Sequence, residues 1–193
     1  MNKKTTVALA VGALVLAGAA TAFAATAHDS GVKVAAAAQS GVPVPVPVGG
    51  PVPAAVKVPG GHHAIAIFKG EGVQIYGCTN GSWTLIQPAA TLSRDNDPVA
   101  VHFAGPSVPR WESTKDGSLV GAKKIASVDQ PGAVPQLLLQ ATENTGGPDT
   151  QFGKVTFVQR LNTHGGLAPA GSCTAGAQIG VHYTADYKFW VAK

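Results

Sequence analysis

Charge is what this chain has least of. Asp, Glu, Lys and Arg make up 12% of its 193 residues, about half of the roughly 25% usual in globular proteins. The basic balance is also thinner than it looks, because Lys3 and Lys4 sit in the first few residues. Of the 14 Lys+Arg and 10 Asp+Glu, those beyond residue 60 nearly cancel. No basic cluster exceeds the pair Lys123–Lys124, so the stripe that nucleic-acid binding requires is missing. One Met and two Cys exclude a Met-rich recognition surface, a disulfide-dense miniprotein and a multi-cysteine zinc or iron–sulfur site. No window of a dozen residues keeps helical apolar spacing without Gly or Pro, and a helical domain is excluded with it.

The recognisable catalytic loops are missing too. Gly105-Pro106-Ser107-Val108-Pro109 is not a Gly-x-Ser-x-Gly elbow. Gly70-Glu71-Gly72 lacks the third glycine and following helix of a dinucleotide loop, and there is no phosphate loop. No cofactor is expected. His62 and His63 are adjacent, so on a strand they face opposite ways and suit a metal poorly. Asp95-Asn96-Asp97 is acidic enough for weak calcium binding, but Pro98 follows and no later Glu completes the loop; a turn is the expectation. No metal site is expected.

What is present begins with a leader. Asn2-Lys3-Lys4, the apolar run from Val7 to Ala20 and small residues around Ala24 and Ala27 form the three parts of a secretory signal peptide over residues 1–27. The apolar run is too short and too rich in Ala and Gly to span a membrane core of roughly 30 Å, and no second run approaches its length. A secreted, extracellular chain without a transmembrane segment is expected. Residues 28–59 form an Ala/Val/Pro-rich linker in which Val42 to Val48 alternates strictly with proline. Proline cannot donate to a ladder, so this stretch is extended and semi-rigid. It is a plain spacer, a tether that holds the domain off a wall or membrane, or a segment that packs along the domain.

Residues 60–193 read as strands. Ala64–Phe68, Gly72–Tyr76, Trp83–Ile86, Val99–Ala104, Leu119–Val128, Gln136–Ala141, Lys154–Asn162, Gln178–Tyr183 and Tyr187–Val191 are β-rich runs between Gly, Pro, Asn and Asp breakers. Asn80-Gly81 suits a tight hairpin turn. The expected fold class is all-β: one mainly antiparallel β-sandwich or β-barrel. Alternation sets His102 opposite Val101 and Phe103, and Arg160 opposite Leu161, which sends the polar residues to solvent or to a lined cavity. Cys78 and Cys173, the only two cysteines, are expected to pair in an exported chain.

The densest polar–aromatic stretches are His102-Phe103-Ala104-Gly105-Pro106 with Arg110-Trp111-Glu112 and Asp116-Gly117-Ser118, and Gln159 to Gly166. His102 near a carboxylate has the makings of an acid–base pair. Trp111 beside charges makes a stacking platform for a sugar or ligand, and Arg160 can fork onto a carboxylate. These stretches, with Gln74 to Cys78, Cys173 and Tyr183-Thr184-Ala185-Asp186-Tyr187, resemble in order the secreted family catalogued as domain of unknown function 3455. The step Ser107 to Arg110 is longer than the family's usual one from Gly-Pro to Trp-Glu. The resemblance implies no established activity; the malate-dehydrogenase label of some relatives conflicts with the missing dinucleotide loop.

Three functions compete. The first is a non-catalytic extracellular binding domain for a glycan, small ligand or cell-envelope component, through His102, Trp111, Glu112, Arg160 and Tyr183. The second is an extracellular hydrolase-like enzyme using His102 with Glu112 or Asp186. The third is a structural surface or matrix protein.

Overall fold

The computed structural model describes residues 51–193; the leader and most of the linker lie outside the described residues. Eight antiparallel strands follow one another around a ring: β1 His62–Thr79, β2 Ser82–Arg94, β3 Asp97–Ala104, β4 Pro109–Ser113, β5 Leu119–Gln130, β6 Ala133–Thr145, β7 Phe157–Gly165 and β8 Gln178–Ala192. Each pairs with its sequence neighbour, and β8 returns to β1 from His62↔Ala192 to Gly77↔Gln178. The all-β expectation resolves into a closed barrel. Closure leaves no strand edge unpaired.

The turns follow their sequences. Asn80 and Gly81 both have positive φ, 50° and 76°, as a two-residue hairpin demands. Asp95 and Asn96 repeat this at 50° and 67°, so the acidic triplet is a turn that leads into β3 at Asp97.

Two readings need correction. Ala64–Phe68 and Gly72–Tyr76 are one strand, and the glycines between them are not breakers. A Cβ on Gly72 would strike Ala89 and Ala90 of β2, and one on Gly70 would meet the Tyr187 ring. The pair lets neighbouring groups approach the wall closely. Gln178–Tyr183 and Tyr187–Val191 likewise merge into β8. The short β4 was not foreseen, because a proline and two charged residues in five positions mask its pattern.

The two ends of the barrel differ. At one, residues 146–156 fold across the opening and bury Phe152 completely. Its ring lies 4.6 Å from Phe189 and 6.5 Å from Phe68, a burial that stabilises by roughly 2–3 kcal/mol. The plug is pinned by hydrogen bonds: Phe152 N–H donates to Ser118 Oγ at 3.0 Å, Ser118 Oγ donates to Asp116 Oδ1 at 2.6 Å, and Gln151 N–H donates to Asp116 Oδ2 at 2.8 Å. The Ser118 hydroxyl, then the Gln151 amide, hold the Asp116 carboxyl far below the usual carboxylate range. The other end carries the loops 80–81, 105–108, 131–132 and 166–177. There the Cys78–Cys173 disulfide ties the end of β1 to the last loop, across a separation of 95 residues.

A second apolar cluster lies on the outer wall, where Leu138, Phe157 and Leu161 meet Val56. Val56 belongs to a single 3-10 turn, Ala54–Val56, and is fully buried. Its carbonyl accepts from Gln159 Nε2 at 2.6 Å, and Gln159 Oε1 accepts from Trp190 Nε1 at 2.8 Å. The last residues of the Val/Pro-rich stretch thus lie against the barrel.

Candidate ligand cavity

Alternation along the strands sends a polar–aromatic set inward at the unplugged end. Gln74 of β1 is buried while its neighbours Val73 and Ile75 are only half-buried. His102 of β3 is buried, whereas Val101 faces out at 37% exposure. Polar residues therefore occupy inward positions beside outward apolar ones, the inverse of ordinary core patterning. With Trp111, Arg160 and Tyr187 they line a cavity of about 470 Å³, within the usual range for small-molecule sites. Its apolar wall comes from Leu137, Leu139 and the loop Gly105 to Val108, and its lip from Leu85 and Ile86. Those two lip residues are about half exposed, at 50% and 48%.

Cross-strand pairing fixes the aromatic wall. His102 faces Trp111 in register, and their rings stack at 4.4 Å with planes 3° apart. Tyr187 leans on both, at 5.2 and 5.7 Å. His102 Nδ1 lies 2.8 Å from Arg110 O. A carbonyl only accepts, so Nδ1 carries the proton and Nε2 is left as an acceptor. Burial lowers the His102 pKa to about 3, against the Arg110 bond, which raises it, and with help from the Arg160 charge. The ring is neutral at pH 7.

The donors are less well served. Gln74 Nε2 and Trp111 Nε1 are buried with no partner of full hydrogen-bond geometry; the Gln74 amide is near enough to the Tyr183 phenol to favour its charged form, and that phenol meets Tyr187 Oη at 3.0 Å. Burial pushes both phenols up, while the charge of Arg160 pulls them down. Neither tyrosine is an acid at neutral pH.

A family model described as "Protein of unknown function (DUF3455)" matches residues 59–191. The chain belongs to the DUF3455 family. No curated protein and no solved structure matches it.

In this DUF3455 domain the foreseen site residues divide. His102, Trp111 and Arg160 share the cavity. Tyr183 lies beneath it, fully buried and bonded to Tyr187. Glu112 pairs with Val101, one position out of phase with the His102–Trp111 pair, so it stands on the outer face. Asp186 faces outward as well, accepting from Asn162 Nδ2 at 2.7 Å and pairing with Lys69 at 3.4 Å. Neither carboxylate reaches His102. Asp116 and Ser118 belong to the plug. Sequence reasoning missed Gln74, Lys124 and Tyr187 as cavity residues; the polar Gln74 between Val73 and Ile75 was the available signal. Among the described residues, no three His, Cys, Asp or Glu side chains gather as a metal site, and no helix is long and apolar enough to cross a membrane.

Proposed function

We propose that this is a secreted, non-catalytic binding domain that takes one small molecule into the open mouth of its barrel. Secretion is supported by the leader pattern of residues 1–27 and by the disulfide, which belongs to an oxidising compartment. Binding is supported above all by one observation: a cavity of about 470 Å³ whose lining includes Gln74 and Trp111, each with a buried donor that lacks a hydrogen-bond partner. An unserved buried donor costs about 1–3 kcal/mol, and a ligand that the side chain turns to meet recovers part of that loss. Eight strands give an interior just wide enough to fill with side chains or to hold one small ligand. Here part of the interior is packed with side chains and part is left as the cavity.

The enzymatic reading loses support because His102 has no carboxylate beside it. The structural reading draws on one feature, the docking of Val56 on the outer wall, but this leaves the cavity without a purpose.

The test is a thermal-shift screen of small apolar and amphipathic molecules on the full chain, repeated on Ala104→Trp, which fills the mouth. Hits should raise the midpoint by several degrees, since saturation at 100 times Kd is worth about 2.7 kcal/mol. The shift should vanish in Ala104→Trp. A screen without hits, or hits indifferent to the filled mouth, would refute the proposal.

A further inference from the structure

The cavity is electrostatically one-sided. Its lining includes two cations, Arg160 and Lys124, and no Asp or Glu. Among the described residues neither cation is in a salt bridge. Arg110, on the outer wall nearby, shows what this fold does with a guanidinium it means to neutralise. Its Nε and Nη2 donate to Glu143 at 2.6 and 2.8 Å. Arg160 instead spends Nε and Nη2 on one backbone carbonyl, Pro135 O, at 3.1 and 2.9 Å. A guanidinium has five N–H donors; beyond Pro135 O, Arg160 also acts on the neutral Tyr187 phenol, but no carboxylate answers its charge. A half-buried charge without a counter-ion is costly, and its natural complement is a carboxylate or another planar anion. The two unbonded donors of Gln74 and Trp111 also want acceptors. Around these groups the wall is aliphatic and the lip exposes Leu85 and Ile86, the signature of a site for apolar groups.

We infer that the ligand is an amphipathic carboxylate, its anionic head at Arg160 and its apolar body along Leu137, Leu139 and Ile86, with Lys124 at the rim. The inference rests on the binding reading above and adds the ligand's charge to it. A neutral glycan is a poor fit, since it leaves the Arg160 charge unanswered and has no long apolar body for the aliphatic wall.

The experiment measures calorimetric affinities of the full chain for three probes sharing one tail: octanoate, 1-octanol and octyltrimethylammonium. Octanoate should bind at least tenfold more tightly than octanol, with the cation weakest. Arg160→Gln should bring octanoate down to the level of octanol, and Arg160→Lys should keep part of the preference. Lys124→Gln alters an exposed side chain that the fold does not depend on, and it should cut the preference two- to threefold even if Arg160→Gln does not fold. Octanol binding as well as octanoate, or a preference untouched by Lys124→Gln and by any folded Arg160→Gln, would overturn the carboxylate while leaving the binding domain standing. Failure of all three probes to bind would instead strike the binding reading itself.

Discussion

At the plugged end, Phe152 is packed among Phe68 and Phe189 and each polar group of the Asp116–Ser118–Gln151 clamp has a partner. At the open end, the same strands carry Gln74 and Trp111 with donors unspent and Arg160 without a counter-ion. The plugged end thus pairs its polar groups around packed aromatic rings, while the unpaired groups gather at the open end, which the Cys78–Cys173 bond ties together. In the binding reading proposed above, such local cost at a site is offset elsewhere in the fold.

The largest effect expected from breaking this contrast is at the one strong constraint on the open end. Replacing both Cys78 and Cys173 by Ser should cost about 5 kcal/mol, since the loop closed by the bond is long. Urea unfolding with and without reductant measures it, and a loss under about 1 kcal/mol would mean that the mouth is held by its turns alone. Next comes the plug. Phe152→Ala should cost roughly 3–5 kcal/mol, yet leave probe affinity in the folded protein unchanged. A matching loss of affinity would show the two ends to be coupled.

The third effect is pH dependence. The folded pKa of His102 is lowered from 6.5 to about 3, so the unfolded chain binds the extra proton first. Its contribution is fully present above pH 6.5 and is lost as pH falls toward 3. The slope approaches about 1.4 kcal/mol per pH unit. Asp116 and Glu143, both lowered, add their losses only below the ordinary carboxylate range, so His102 dominates between about pH 6.5 and 4.5 among these groups. His102→Gln should flatten stability across that window; an unchanged slope would reassign it. The smallest effect on stability is expected at Gln74. Gln74→Leu removes an unserved donor and should leave stability within about 1 kcal/mol or raise it, while octanoate affinity falls severalfold. A large destabilisation would mean that the amide is structural.

Much of this was legible beforehand, for local reasons. Asn80-Gly81, the alternating runs and the absence of helical spacing are short-range signals, and they dictated an all-β chain. Barrel closure was not legible, because the pairing of β1 with β8 joins segments from opposite ends of the domain, and no local pattern reports such register. Gly70 and Gly72 were misread since a glycine that permits close approach looks like one that ends a strand. His102, Trp111 and Arg160 stood out by residue type, but Glu112 stood out equally. Only the pairing of β3 with β4 sets it on the outer face.

The β1–β8 seam has a further consequence in time. It carries the pairing that closes the ring, yet it cannot begin to form until the last strand is available. Until then β1 and β7 each present a bare edge, a template for another chain, and contacts so distant in sequence make folding slow. A chain stopped short of Gln178 should not give a smaller barrel but an aggregating sheet. The ring therefore depends on its last strand as much as on its first.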